Sequence, residues 1–228
     1  MIISEIFYSI QGEGMLTGVP SVFVRTSGCN LRCTWCDTPY TSWEPAGDNL
    51  MLGGILSTVR RFWASNHVVV TGGEPMIAPD IVALTEGLKR MDQHITIETA
   101  GTVFKPVVCD LMSISPKLSN STPHEREDGQ WAAQHDRLRI QPDVLRQLMA
   151  DYAYQLKFVV KHKNDIAEVK ALAEELGAEK SRVLLMPEGT DSLTLRERSP
   201  WIAEVCKTEG YRFCPRLHID LYGNKRGT

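Results

Sequence analysis

The stretch SGCNLRCTWCDTPYTSW, residues 27–43, sets three cysteines within eight positions: Cys29, Cys33 and Cys36, spaced C-x3-C-x2-C. A structural zinc site takes four ligands, commonly as two separated C-x-x-C pairs, and an iron–sulfur cluster used only for electron transfer takes four thiolates. Here the local set stops at three. Two readings are open: a metal ion completed by His67 or a distant cysteine, or a 4Fe–4S cubane whose fourth iron is left for an outside ligand.

Other polar groups recur where β-branched runs end. They are Arg25, TGGEP (71–75), ETAG (98–101), SPK (115–117), MPEGTD (186–191) and His218. Glycine in GGEP permits close backbone approach to a ligand, although such a tetrapeptide also suits a plain turn.

These groups need strands to hold them. The runs 21–26, 67–72, 94–99, 110–115, 154–160, 182–187 and 212–219 read as strands, several of them continuously apolar, as parallel strands covered on both faces are. Between them, 49–64, 78–91, 164–177 and 193–210 carry apolar residues at helical spacing. Pro79 and Asp80 suit a helix start, Asn164 an N-cap and Gly177 a C-cap, while Pro200 predicts a break or kink. Strand–helix alternation of this kind gives an α/β fold with a mainly parallel sheet. Eight such units normally need about 250 residues, so this chain predicts an incomplete, laterally open (β/α)6-type barrel forming one domain over 1–228. In α/β barrels the C-terminal strand edge is the reactive face, and the groups above should converge there. Segment 117–141 is polar and aperiodic, and reads either as a surface insertion able to move over a site or as a solvated loop.

Composition bounds the function. With 43% hydrophobic and 23% charged residues the 228-residue chain is that of a globular protein, and a net charge of −3 with no dense Lys/Arg stripe disfavours direct nucleic-acid binding. The N-terminus lacks a basic and apolar leader pattern, and no apolar run is long enough to span a membrane, so the expected location is the cytoplasm. In a reducing compartment, clustered thiols serve metals or catalysis before disulfides. Cys109, Cys206 and Cys214 lie in apolar surroundings and read as buried packing residues.

C-x3-C-x2-C, with Trp35 before the third cysteine and GGEP downstream, resembles the radical S-adenosylmethionine (SAM) superfamily. FYSIQGEG (7–14), FVRTSGCN (23–30), CDT (36–38), TGGEP, IETAG (97–101), ISPK (114–117) and LHIDLYGNKRG (217–227) narrow the resemblance to 7-carboxy-7-deazaguanine synthase, nearly end to end. The resemblance implies a carbon–nitrogen lyase that contracts 6-carboxy-5,6,7,8-tetrahydropterin to 7-carboxy-7-deazaguanine with loss of ammonia, in queuosine-type 7-deazapurine biosynthesis. It also implies a 4Fe–4S cluster, SAM, Mg²⁺, a homodimer, and a flavodoxin-like or ferredoxin-like electron donor.

Carried over by position, Cys29, Cys33 and Cys36 hold the cluster and SAM completes it, so that the radical is generated by cofactors and no side chain is implied as the catalyst. Gly73, Glu74, Ser115, Pro116, Lys117, Met186, Pro187, Glu188 and Gly189 are implied to contact SAM. Ile10, Gln11, Gly12, Glu13, Arg25, Thr71, Glu98 and His218 are implied to contact the pterin, with Arg25 on its carboxylate and Thr38 on Mg²⁺. Two departures stand out. Met186–Gly189 replaces a Gln-Pro pair of other members, and the ending GNKRGT extends past the point where many members stop. Two alternatives stay open. A glycyl-radical activase shares the cysteine spacing, and a non-catalytic iron–sulfur or zinc module would need only the thiols.

Overall fold

The structure is a computed structural model that describes residues 1–62 and 64–228. Its strands are β1 (Ile2–Ile10), β2 (Pro20–Thr26), β3 (Asp48–Asn49), β4 (His67–Gly72), β5 (His94–Thr99), β6 (Leu111–Ile114), β7 (Tyr154–Val160), β8 (Val183–Pro187) and β9 (Arg212–Phe213). They form one sheet in the order β3-β1-β2-β4-β5-β6-β7-β8-β9. Every pairing from β2 to β9 is parallel, whereas β1 runs antiparallel to both β2 and β3. The sheet stays open at β3 and β9, and its six full parallel strands make the incomplete barrel expected from the strand–helix count.

The helices are α1 (Leu52–Arg60), α2 (Ile81–Lys89), α3 (Ala132–Leu138), α4 (Pro142–Asp151), α5 (Asp165–Glu175), α6 (Ser192–Glu209) and α7 (Leu217–Tyr222). Side chains along a strand point alternately to its two faces. Val22 and Val24, Val68 and Val70, Ile95 and Ile97, and Leu156 and Phe158 therefore share one face and pack in the main core. Their neighbours Phe23, Thr71, Glu98 and Lys157 face the other way, onto a cavity lined by residues from β1 as well as β8, which requires the sheet to curl.

Several expectations are corrected. The strand over 212–219 is only two residues long, because Pro215 has no N–H to extend the ladder; the chain turns there and enters α7, so His218 lies on a helix and not on a last strand. Helix α6 runs unbroken through Pro200, and its start is capped by Asp191, whose carboxylate accepts from the Thr194 N–H at 2.9 Å. Asp80 and Asn164 precede α2 and α5 but neither side chain makes a capping bond, while Gly177 does take the left-handed conformation after α5, φ 63°. Strand β1 and helix α4 are additions to the sequence reading, and 100–110 joins β5 to β6 without a helix. The expected helix over 49–64 includes position 63, which lies outside the described residues; its observed part is α1.

Segment 117–141 is neither a free flap nor a solvated loop. Two short 3₁₀ turns, Ser119–Ser121 and Arg126–Gly129, and helix α3 fold it onto the cysteine loop. Buried His135 accepts the Arg32 N–H on Nδ1 at 3.1 Å, and its Nε2 pairs with the Ser121 hydroxyl at 2.9 Å. The Thr34 N–H donates to the Ser121 carbonyl at 2.8 Å, and Trp35 Nε1 donates to Asn120. Guanidinium groups stack across the same seam, Arg126 over Trp43 at 3.8 Å and Arg32 over Trp131 at 4.9 Å. Among the described residues no helix is long and apolar enough to cross a membrane.

Candidate active site

The C-terminal ends of the parallel strands surround a cavity of about 430 Å³, within the range typical of small-molecule sites. Cys29, Cys33, Cys36 and Thr38 reach it from the loop after β2, and Gly73 from the loop after β4. Ser115 and Lys117 reach it from the turn after β6, Met186 from β8, Ile10 from the end of β1, and Gln11, Gly12 and Glu13 from the turn after it. Arg25, Thr71 and Glu98 line it from the strands and His218 from α7. Parallel strands bring the ends of β2, β4, β6 and β8 to one side, whereas β1 runs antiparallel, with Ile10 opposite Pro20 at the start of β2, so Gln11–Glu13 enter the cavity from the N-terminal edge of the strands.

The loops are stitched by backbone. The Gly73 N–H donates to the Thr26 carbonyl at 3.3 Å and the Glu74 N–H to the Gly28 carbonyl at 2.9 Å. A Cβ on Gly73 would sit 2.3 Å from the Gly28 oxygen and 2.6 Å from that of Thr41, so only glycine allows this approach of the GGEP turn to the cysteine loop. At Gly12 the space for a side chain is taken by His218, since a Cβ there would lie 2.0 Å from its Nδ1.

All six cysteines are free thiols. Burial pushes Cys29 up to about 12 and raises Cys33 as well, so these thiols carry protons that a bound metal must displace. The three line one cavity wall, yet among the described residues no group of three or more His, Cys, Asp or Glu side chains is arranged around a single metal ion. His67, the fourth ligand of the zinc reading, opens β4 at the opposite sheet edge and packs against His94 with the rings tilted, centroids 4.6 Å apart. The donor set fits a cluster held by three thiolates, each from a different point of one loop, with Gly73, Ser115 and Lys117 on the same cavity.

The substrate side is built from polar pairs. The Glu98 carboxylate accepts from the Thr71 hydroxyl at 2.8 Å and from Gln11 Nε2 at 3.2 Å. Arg25 Nε donates to Glu5 at 2.7 Å, its guanidinium lying 5.6 Å from the Phe7 ring centroid, and Phe7 stacks on Phe23 at 4.9 Å to form an apolar floor. Burial raises the Glu13 carboxyl, but the adjacent Lys157 and Arg216 charges outweigh that and hold it far below the usual carboxylate range. Burial lowers His218, leaving its imidazole neutral near pH 7.

Five of the expected contact residues do not line the cavity. Glu74 is fully buried: one oxygen accepts from the Met76 N–H at 3.0 Å and the Thr99 hydroxyl at 2.7 Å, the other from the Ala100 N–H at 2.7 Å. Its carboxylate braces the strand ends, and burial raises its pKa. Glu188 pairs with Arg198 of α6, and Pro116 and Pro187 stand behind the cavity wall. Gly189 also lies off the wall, offering its carbonyl to Arg216 at 2.5 Å. Conversely, Asp37, Tyr40, Lys157 and Arg216 line the cavity unanticipated, as does the tail 224–228. Arg226 in that tail donates to the Ser4 carbonyl at 2.7 Å and stacks over Tyr40 at 4.6 Å, folding GNKRGT across the mouth. The signal for Lys157 is its place in an apolar run, YQLKFVV, where a cation needs a reason.

Comparisons with known proteins bear on the family and the fold. Residues 23–117 match the family model of the radical SAM superfamily. A 7-carboxy-7-deazaguanine synthase of Halobacterium salinarum is 45% identical, over 97% of this chain and 90% of its own length. One from Rhodopirellula baltica is 44% identical, over 100% of this chain and 89% of its own. The crystal structure of QueE from Escherichia coli superposes with a TM-score of 0.70 at 25% identity, covering 95% of this chain and 94% of that one.

Proposed function

The chain belongs to the 7-carboxy-7-deazaguanine synthase family of the radical SAM superfamily, and from that premise we propose how its residues divide the work. The enzyme is a radical SAM carbon–nitrogen lyase that contracts 6-carboxy-5,6,7,8-tetrahydropterin to 7-carboxy-7-deazaguanine with release of ammonia, on the route to queuosine-type 7-deazapurines. It uses a 4Fe–4S cluster and SAM, and the family adds Mg²⁺. When bound, the cluster supplies the electron that splits SAM and so starts the reaction on the substrate.

The side chains hold and orient. Cys29, Cys33 and Cys36 would hold the cluster, Gly73 and the turn Ser115–Lys117 would bind SAM through backbone groups and the Ser115 hydroxyl, and Met186 would pack against its adenine. Glu98, fixed by Gln11 and Thr71, supports a reading as acceptor for the paired N–H groups of the pterin's amidine edge. Neutral His218 against Gly12 offers a hydrogen bond to the same heterocycle without a charge. Arg25, over the Phe7–Phe23 floor, would exchange Glu5 for the substrate carboxylate. Thr38 would give its hydroxyl to Mg²⁺, beside Cys36 in the same loop. The observation that carries this reading is one cavity lined jointly by three free thiols, Gly73 and the Gln11–Thr71–Glu98 set.

Anaerobic incubation with SAM, reductant, Mg²⁺ and carboxytetrahydropterin, followed by mass analysis, is expected to yield 7-carboxy-7-deazaguanine. SAM cleavage with no deazapurine would remove the substrate assignment. Thr38→Ala is expected to lower activity and weaken its divalent-metal dependence; full activity with unchanged metal dependence would remove Thr38 as ligand. We further propose a cytoplasmic homodimer reduced by a flavodoxin-like or ferredoxin-like donor, checked by light scattering and by reconstitution with each donor.

A further inference from the structure

We propose that Arg216 is a positioning residue that ties the loop carrying the substrate contacts to the cysteine loop and to the loop after β8. The proposal rests on the functional assignment of those loops above.

Arg216 lies in the turn between β9 and α7 and is only 6% exposed. Its planar fork is divided among three segments remote in sequence. Nε donates to the Glu13 carboxylate at 3.0 Å, Nη1 to the Gly189 carbonyl at 2.5 Å, and Nη2 to the Asp37 carboxylate. The second Glu13 oxygen is taken by Lys157 of β7, so two cations and two anions form a charge-balanced set that is buried except at Asp37, which is partly exposed.

Each tied segment is one to three residues from a site residue: Glu13 follows Gln11 and Gly12, Asp37 sits between Cys36 and Thr38, and Gly189 follows Met186. Arg216 also precedes His218 by two residues, and the Leu217 N–H donates to the Gly12 carbonyl at 2.9 Å. A buried ion set contributes little net stability over an apolar packing of equal volume. Its distinctive property is directional: a guanidinium presents five donors in a fixed fork, whereas lysine offers one mobile point charge and cannot hold three partners at set angles. The arrangement therefore sets the spacing between the pterin-side and SAM-side loops, and no atom of Arg216 need touch either ligand.

The test compares wild type with Arg216→Lys, Arg216→Gln, Glu13→Gln and Asp37→Asn. Amide hydrogen exchange on the cluster-free chain is expected to speed up about tenfold or more in all three segments, 11–15, 36–41 and 188–191, in Arg216→Gln, with Arg216→Lys restoring one or two of them. On the reconstituted enzyme, KM is expected to rise about tenfold for both SAM and pterin, with iron content unchanged because all three cysteines remain. Exchange changes confined to 212–220, or a KM rise for the pterin alone, would overturn the proposal. Should Arg216→Gln fail to fold, Glu13→Gln and Asp37→Asn each cut one arm, and each is expected to loosen its own loop only; loosening of all three by Glu13→Gln would transfer the role to Glu13 and overturn it equally. If wild type made no deazapurine while exchange behaved as expected, the functional reading would fall and the three-way tie would stand.

Discussion

On the helix-covered face of the sheet, Val70, Ile97 and Phe158 are fully buried among apolar side chains; one residue along the same strands, Thr71, Glu98 and Lys157 point into the cavity. The first face gains free energy by removing hydrocarbon from water, about 1.5–3 kcal/mol per large side chain. The second places hydroxyl, carboxylate and ammonium groups out of bulk water, where each is costly unless paired, and each is paired. Stability and chemistry are thus separated by the two-residue period of a strand. A substitution on one face should leave the property carried by the other largely intact.

Cys33→Ala on the cavity side should give the largest functional effect: iron falls from about four per chain to background and product formation is lost, while far-UV circular dichroism and the unfolding midpoint of the metal-free chain stay near wild type. A metal-free chain that unfolds on this change would mean that Cys33 is a core residue first. Phe158→Ala should show the reverse pattern, costing about 3–5 kcal/mol in urea unfolding while the protein that remains folded at low temperature keeps the wild-type KM. A raised KM with an unchanged midpoint would dissolve the separation of faces.

Smaller changes sharpen the contrast. Thr71→Val keeps shape and removes one hydrogen bond to Glu98, so about 1 kcal/mol of stability and about a tenfold rise in pterin KM are expected, with the KM for SAM unmoved. A further effect, seen only on acidification, concerns His135, which burial lowers from 6.5 to about 4. Between those values the unfolded chain binds a proton that the folded chain does not, so stability is complete above 6.5 and declines as the pH falls towards 4. His135→Gln should flatten that decline in urea titrations across the window; an unchanged slope would place the titrating group elsewhere.

The parallel strands are the most legible part of the sequence. Apolar runs such as HVVVTG and HITIET mark β4 and β5 to the residue, because buried parallel strands favour β-branched side chains and end where glycine or a polar cluster begins. Strand β1 is harder, since IISEIFYSI mixes half-exposed and polar positions that only the antiparallel register with β2, Phe7 opposite Phe23, makes into a strand. The continuous runs suggest apolar cover on both faces, yet Thr96, Ser113 and Gln155 lie on the inner face, where polar residues answer one another across strands. RFCPRLHI alternates well enough to read as a strand, but Pro215 stops the ladder and the chain enters α7 instead.

The C-x3-C-x2-C spacing, GGEP and the strand-end polar groups are determined locally: ligand count and backbone freedom are properties of residue type and short separation. Arg216 is different. Nothing in PRLHI distinguishes a solvated arginine from one divided among Glu13, Asp37 and Gly189, and nothing in 117–141 announces that His135 grips the cysteine loop. Pairings between segments up to 203 residues apart depend on where the sheet's curl brings the loops, and that is set by the packing of the whole chain.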